Sequence, residues 1–358
     1  MKQKLMKILR ALRPQLPNQQ NSHLKLVSFR ALTRARFRHT ENPVCIDVNT
    51  VDAFASTEKD DTMKKQTRAA FAIGAATLLG LSACAAGGDD TAADAPENKD
   101  LSIAVFNGWP EGEAVSFLWK AILEEKGYNV ELEYADVTPI FSGLSTGDYD
   151  LTLDGWLPVT HASLMEEYGA TITDLGAWNT EAVLTVAVNE DAPIDSLEEL
   201  AANADAFGNR IVGIEPGAGL TEAVMTKTMP TYGLDDMELL TSSTPAMLAE
   251  LQAALDNGEN IAVTLWRPHW AYDAFPIKDL ADPEGTLGDK ESIHSFARDT
   301  LSDDMPEITN WISDFKMDSE LLYSLENVMY NEYEGTDYEP IVADWMAANQ
   351  DYVDGLTS

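Results

Sequence analysis

The 358-residue sequence predicts an α/β fold in two lobes, the second inserted into the first, with a ligand cleft between them. Three observations carry this expectation. From Leu101 onward, short apolar runs alternate with amphipathic helical stretches, as in largely parallel sheets covered by helices. The alternation comes in two series, and the second starts near residue 181. After FPIKDL (275–280) the pattern becomes mainly helical, and 101–180 plus 276–358 are expected to form one lobe and 181–275 the other.

In the first series, LSIAVFN (101–107) reads as a buried strand and Gly112–Lys126 as a helix that stops at Gly127. NVELEYA (129–135) is the second strand, Pro139–Ser145 a short helix, DLTLDGW (150–156) the third strand and Ala162–Tyr168 a helix. In the second series EAVLTVAVN is a strand, followed by a helix over Ser196–Ala204. Ser196 with Glu199 three residues later matches a capping box, in which each side chain satisfies a backbone amide of the other. RIVGIEPGAG gives a strand and turn before a helix from Leu220. MELLTSS, a helix over Pro245–Leu255 and NIAVTLW complete the set. Helices over Pro306–Ser313, Ser319–Tyr330 and Glu339–Asn349 close the chain.

Charge is divided unevenly along this plan. The formal net charge is −36, with 60 acidic and 24 basic residues, which argues against a nucleic-acid partner that needs a Lys/Arg footprint. Residues 1–84 nevertheless carry 14 basic and 6 acidic residues, whereas 85–358 carry a net charge of −44. A basic head on an acidic body suggests a targeting segment before an exported domain. Within 63–83, Lys64, Lys65 and Arg68 precede the apolar run Ala69–Leu81, which is too short to span a bilayer. The run ends in Leu81-Ser82-Ala83-Cys84, which resembles the lipobox of bacterial lipoproteins and makes Cys84 the expected lipid anchor. The segment 84–100, rich in Ala, Gly, Asp and Pro, then reads as a flexible tether. Residues 1–62 have no place before such a signal and are expected to be a mis-assigned extension of the reading frame. The chain has two cysteines, Cys45 and Cys84, so no disulfide framework is expected.

Ligands in open α/β sheets bind beyond the carboxyl ends of strands, and here those ends carry tryptophan. All eight Trp residues follow residue 100. Trp109 follows the first strand in NGWPEG, Trp156 the third in LDGWLP, and Trp266 and Trp270 the last strand of the second lobe in TLWRPHW. Trp178 falls in the crossover, whereas Trp119, Trp311 and Trp345 lie in helical stretches and read as core. Each strand-end indole either packs beneath its loop or faces the cleft; several converging on one cleft favour a shared task. Indole faces attract cations too bulky or too methylated to donate hydrogen bonds. The first strand-to-helix turn offers the opposite polarity. The unpaired amides of a helix start near Gly112 and Glu113 either hold a ligand carboxylate or are an ordinary capped terminus. The turn EPGAG (215–219) has the same logic and reads more simply as a tight turn.

Together these segments resemble the glycine betaine/proline-type substrate-binding proteins of ABC importers. The likeness rests on GWPEGEA, DVTPIFSGLSTGDYDLTLDGWLPVTH (136–161), GIEPGAGL (213–220), VTLWRPHW (263–270) and the return segment 277–298, and covers about 101–350. It implies a type II-like periplasmic-binding-protein fold closing on a betaine-like solute by hinge motion near 180 and 275. By position it implies Trp156 and Trp266 as cage members, Gly112 and Glu113 as carboxylate binders, and His269 as either a carboxylate contact or a brace for its loop. Relatives often carry another cage Trp where this chain has Met317, so Trp109 or Trp178 is expected to complete the cage. Choline, carnitine, proline betaine and a sulfonium analogue remain alternative ligands. The implied partners are an ABC permease and a separate ATPase, since no Walker-type loop is present. The implied location is outside the cytoplasm on the lipid anchor.

An enzyme is the rival class. Gly143-Leu144-Ser145-Thr146-Gly147 matches G-x-S-x-G, but a nucleophile elbow needs a strand before the Ser and a helix after it. Here a helix precedes Ser145 and a strand follows, so a surface hydrolase is the remote alternative. His161, His269 and His294 show no metal-binding spacing; no catalytic residue, metal or cofactor is expected.

Overall fold

A computed structural model describes residues 99–358. The readings placed on 1–62, on the signal segment 63–83, on Cys84 and on most of the tether lie outside the described residues.

The strands are β1 (Asp100–Phe106), β2 (Asn129–Ala135), β3 (Leu151–Leu157), β4 (Ile172–Asn189), β5 (Arg210–Val212), β6 (Glu238–Leu240), β7 (Ala262–Arg267), β8 (Ile277–Asp279) and β9 (Glu291–Arg298). They run in the order β2-β1-β3-β9-β4-β7-β5-β6, with β8 also on β4. Leu101, Ile103, Ala104, Val105 and Phe106 are all buried, so β1 reads as a near-continuous apolar run rather than an alternating one. It pairs in parallel with β2 and β3. In the other half β5 pairs in parallel with β6 and β7.

The expectation of largely parallel sheets fails where the halves join. β9 runs antiparallel to both β3 and β4, and β4 runs antiparallel to β7 and β8. β4 is 18 residues long and serves both halves; its first part pairs with β9 and its second with β7 and β8. The strand expected from residue 181 therefore begins at Ile172, and Trp178 lies on it rather than in a crossover loop. Register shifts between Asp174 and Ala182 let β4 bend from one half into the other. The second half also extends past residue 275, because β8 pairs with β4 at Ala187–Asn189.

The helices that position the site are α1 (Pro110–Glu125), α2 (Val137–Thr146), α3 (Ala162–Tyr168), α4 (Leu197–Leu200), α5 (Gly219–Ala223), α6 (Thr244–Asn257), α7 (Pro306–Asp314), α8 (Ser319–Glu326) and α9 (Glu339–Ala348). α1 starts two residues before the expected Gly112, because Pro110 occupies its first position, where a fixed φ suits the helix and no donor is lost. The Ser196/Glu199 capping box is formed at α4, after which Ala201–Phe207 tightens into a 3₁₀ helix. Among the described residues no helix is long and apolar enough to cross a membrane.

Candidate functional site

Each half of the sheet brings one tryptophan to the end of a strand. Trp156 is the penultimate residue of β3, and Trp266, opposite Leu184 of β4, is the penultimate residue of β7. Trp109 caps the start of α1 and comes from the first strand-to-helix turn. These three line one cavity with Glu111, Thr160, Leu184, Ile214 and Leu220. All three indoles are buried, and the rings of Trp109 and Trp266 lie 5.9 Å apart. The cavity holds about 10 Å³, roughly the volume of a single water, so its walls are in near contact.

Two histidines stand behind these walls. The Trp156 amide donates to His161 Nδ1 at 2.9 Å, and the His161 ring stacks on Trp109 at 5.8 Å and 8°. The Ala271 amide donates to His269 Nδ1 at 3.0 Å, and the His269 ring meets Trp266 edge-on at 4.8 Å. Burial pushes both imidazoles down to a pKa of about 3, so both are neutral. Because Nδ1 accepts in each, the proton resides on Nε2. Their Nε2 atoms are buried without a hydrogen-bond partner. Glu291 fixes the loop after Trp156: its carboxylate accepts from the amides of Val159 and Thr160 and from Thr160 Oγ1.

The third layer is acidic. Asp154 Oδ1 accepts from Trp156 Nε1 at 2.9 Å, while Oδ2 has no partner. Burial raises the Asp154 carboxyl to a pKa of about 7, against which the Trp156 bond works. Glu111 and Glu326 are completely buried and their pKa values lie well above the usual carboxylate range. Burial is the chief cause for both. Asp154 and Glu326 reinforce it at Glu111, and Asp154 and Asp273 reinforce it at Glu326.

The structure departs from expectation at several predicted positions. A Cβ on Gly112 would lie 2.4 Å from Asp154 Oδ2, so this glycine makes room for the Asp154 carboxyl. The Glu113 amide donates to the Trp109 carbonyl within the helix, because α1 begins early. Its carboxylate accepts from Tyr134 and Tyr330, outside the cavity. Trp178 donates to the Leu153 carbonyl at 2.7 Å and stacks on Phe315, away from the other three indoles. Met317 sits beside it, its amide donating to the Trp178 carbonyl. His269 supports Trp266 and does not line the cavity. In the 215–219 turn Glu215 accepts from the amide and hydroxyl of Thr244 and so caps α6. Ser145 lies in the last turn of α2 with its hydroxyl bonded to Thr171 at 2.8 Å, a helix end rather than an elbow.

Glu111, Asp154, His161 and Glu326 are site residues that the sequence patterns did not single out. One signal was available: an aspartate inside the apolar run of β3 is an unusual choice for a buried strand. Nothing local marks Glu111, since an acid in a helix's first turn normally faces solvent to complement the dipole.

Comparison with known proteins agrees with this architecture. Residues 99–348 match the family described as the substrate binding domain of ABC-type glycine betaine transport systems. A glycine betaine/carnitine transport binding protein, GbuC of Listeria monocytogenes, is 34% identical over 164 residues, 45% of this chain and 52% of that protein. The chain thus matches about half the length of that curated relative. Lactococcal OpuAC, solved closed and complexed with glycine betaine, superposes with a TM-score of 0.67 at 29% identity, covering 73% of this chain and 100% of the other. The ProX protein of Borrelia burgdorferi gives 0.68 at 29% identity over 73% of this chain and 97% of the other. With a two-lobed sheet, strand-end indoles and a family match across nearly every described residue, this chain belongs to the substrate-binding domain family of ABC-type glycine betaine transport systems.

Proposed function

We propose that this chain is the extracytoplasmic binding component of an ABC importer, held to the membrane through lipidated Cys84. It captures glycine betaine or a related quaternary-ammonium solute between its two lobes, and delivers it to a permease driven by a separate ATPase subunit. It acts by binding and release, without chemical turnover. The observation that carries the reading is the convergence of Trp109, Trp156 and Trp266 from both halves of the sheet on one buried cavity. Such faces suit a methylated cation, and a desolvated contact contributes about 2 kcal/mol or more. A cavity of about 10 Å³ admits no trimethylammonium group with the walls in place, so entry requires the lobes to part, with the bend of β4 between Asp174 and Ala182 as one hinge.

A second reading within the class is a cation without a carboxylate, such as choline. It is favoured by the cavity lining, which contains Glu111 but no Lys, Arg or His. Isothermal titration of the full chain with glycine betaine, carnitine and choline tests both. Saturable binding of any of them supports the class, and their order of affinity chooses between the readings. No saturable binding by any quaternary ammonium compound overturns the proposal.

A further inference from the structure

Glu111, Asp154 and Glu326 come from three separate elements, α1, β3 and α8, and act on one another inside the protein. Among the described residues no well-formed hydrogen bond reaches the carboxyl oxygens of Glu111 and Glu326 or Asp154 Oδ2, although the Trp266 indole approaches Glu111 and the Trp270 backbone approaches Glu326. A buried ionised carboxylate without donors or a counter-charge is strongly disfavoured, and three together more so. Five buried acceptor atoms left in this way are unusual, because native interiors pair nearly all their polar groups.

The surroundings supply no compensating charge. From β3 and the loop after it come Asp154 and the neutral His161; from the segment after β7 come the neutral His269 and Asp273; from α1 comes Glu113, already bonded to two tyrosines. Arg267 is engaged by Asp279 at 2.8 Å and lies over the Tyr272 ring. Among the described residues no Lys or Arg acts on the three carboxyls. The cluster does, however, open onto the Trp-lined cavity. Glu111 is part of its wall, and Trp266, whose buried indole N–H lies beside the Glu111 carboxyl, lines the same space.

We propose that Glu111, Asp154 and Glu326 hold their protons in common, and that a permanent cation entering the cavity drives one of those protons out to solvent, so that capture exchanges a proton for a cation. The inference rests on the proposed quaternary-ammonium ligand. Before binding, the cluster is kept neutral by protonation. A tetra-alkylammonium head cannot be neutralised by losing a proton, so its fixed charge beside Glu111 favours the carboxylate. One carboxyl O–H bond then breaks, its proton passes to water or a buffer base, and the carboxylate remains as the ligand's counter-charge. Trp266 Nε1 is placed to donate to it. The consequence is directional: binding tightens as pH rises through the range in which the cluster would otherwise hold its proton.

The test is isothermal titration of the full chain with choline and with glycine betaine, in phosphate and in Tris at the same pH. Released protons are taken up by the buffer, so the observed enthalpy differs between buffers in proportion to their number. We expect release of about half to one proton, with affinity rising up to about tenfold per pH unit as pH rises towards neutrality. In Glu111→Gln the release falls while binding stays measurable. Because that variant is able to fail in folding, the wild-type buffer comparison decides the matter alone. Saturable binding with equal enthalpy in both buffers and a flat pH profile overturns this inference and leaves the functional reading standing. No saturable binding by either probe overturns both.

Discussion

Gly219→Ala tests lobe closure most directly. Gly219 opens α5 in the second half, and a Cβ there would lie 2.6 Å from the carbonyl oxygen of Thr160 and 2.7 Å from its Cγ2. Thr160 belongs to the loop after β3, so the clash lies across the cleft rather than inside one lobe. The loop has little room to yield, because Glu291 holds Thr160 through its amide and hydroxyl and Val159 through its amide. Forcing a methyl group into a packed contact costs about 1–3 kcal/mol. Parting of the lobes, as proposed, would relieve the contact, so the penalty is expected to fall on closure rather than on folding. At about 1–2 kcal/mol, the closed population drops enough to weaken apparent affinity roughly 5- to 30-fold. Calorimetry with glycine betaine measures that loss, and a ligand-free melting curve close to the parent's separates it from misfolding. Parental affinity in Gly219→Ala would refute the assignment of this contact to closure. Gly108 faces Thr244 and Pro245 in a similar way, but its φ of +78° adds backbone strain to any substitution and makes it a poorer probe.

Trp266→Leu keeps an apolar wall but removes its π face, and calorimetry should show quaternary-ammonium affinity reduced about 30-fold, the equivalent of about 2 kcal/mol; parental affinity sinks the cage. Stability should respond to pH with opposite signs from the two kinds of buried group. His161 and His269, held at about 3 against an ordinary 6.5, contribute stability that is complete above pH 6.5 and lost as pH falls towards 3. Asp154, raised to about 7 from 3.8, contributes stability that is complete below pH 3.8 and lost as pH rises towards 7. Asp154→Asn therefore removes the second slope, and its melting temperature should gain on the parent's between pH 4 and 7; parallel profiles contradict the assignment. Residues 85–358 carry a net charge of −44, whose self-repulsion salt screens, so added sodium chloride should raise the melting temperature. An optimum at low salt counts against a solvated acidic shell.

The parts of the fold that the sequence revealed are those where one period dominates. β1 is apolar throughout because both faces are covered, and Ser196/Glu199 formed the capping box that their spacing implied. The central strands were harder to read. β4 carries the bulged, mixed stretch Asp174–Ala182 before its apolar second part, so only the latter looks like a strand. β9 reads as part of a return segment because its His, Ser and Glu residues break the apolar pattern. Those polar residues have partners that only the fold brings near: Glu291 meets the loop after β3, and His294 meets Asp174 at 2.9 Å. At the site, the indoles were legible because Trp at a strand end stands out in one dimension. Gly112 shows the limit. A glycine at a helix start has the same letter whether it admits a ligand or a neighbouring side chain, and here the neighbour, Asp154, lies 42 positions away in the sequence.

Trp156 and Trp266 show how the two halves make one selective surface. Each indole ends a strand, is followed two residues later by a proline, and is supported by a neutral histidine whose Nδ1 accepts a local backbone amide. These supports stay on their own side of the cleft: His161 and Asp154 serve Trp156, and His269 serves Trp266. The walls are therefore organised before the lobes meet, and closure need only bring finished surfaces together, which lowers the ordering cost of binding. Trp109, in ring contact with both His161 and Trp266, is the exception that spans the gap. Aromatic walls accept any methylated cation of suitable size, so they set the class of ligand but discriminate weakly within it. The charge-bearing group among the described lining residues is Glu111, and under the proposed function discrimination between a bare cation and a zwitterion is expected to fall to it. A carboxylate on the ligand repels an ionised Glu111, whereas a hydroxyl does not. Glu111→Gln should therefore narrow the affinity ratio between choline and glycine betaine, and an unchanged ratio would place the discrimination elsewhere.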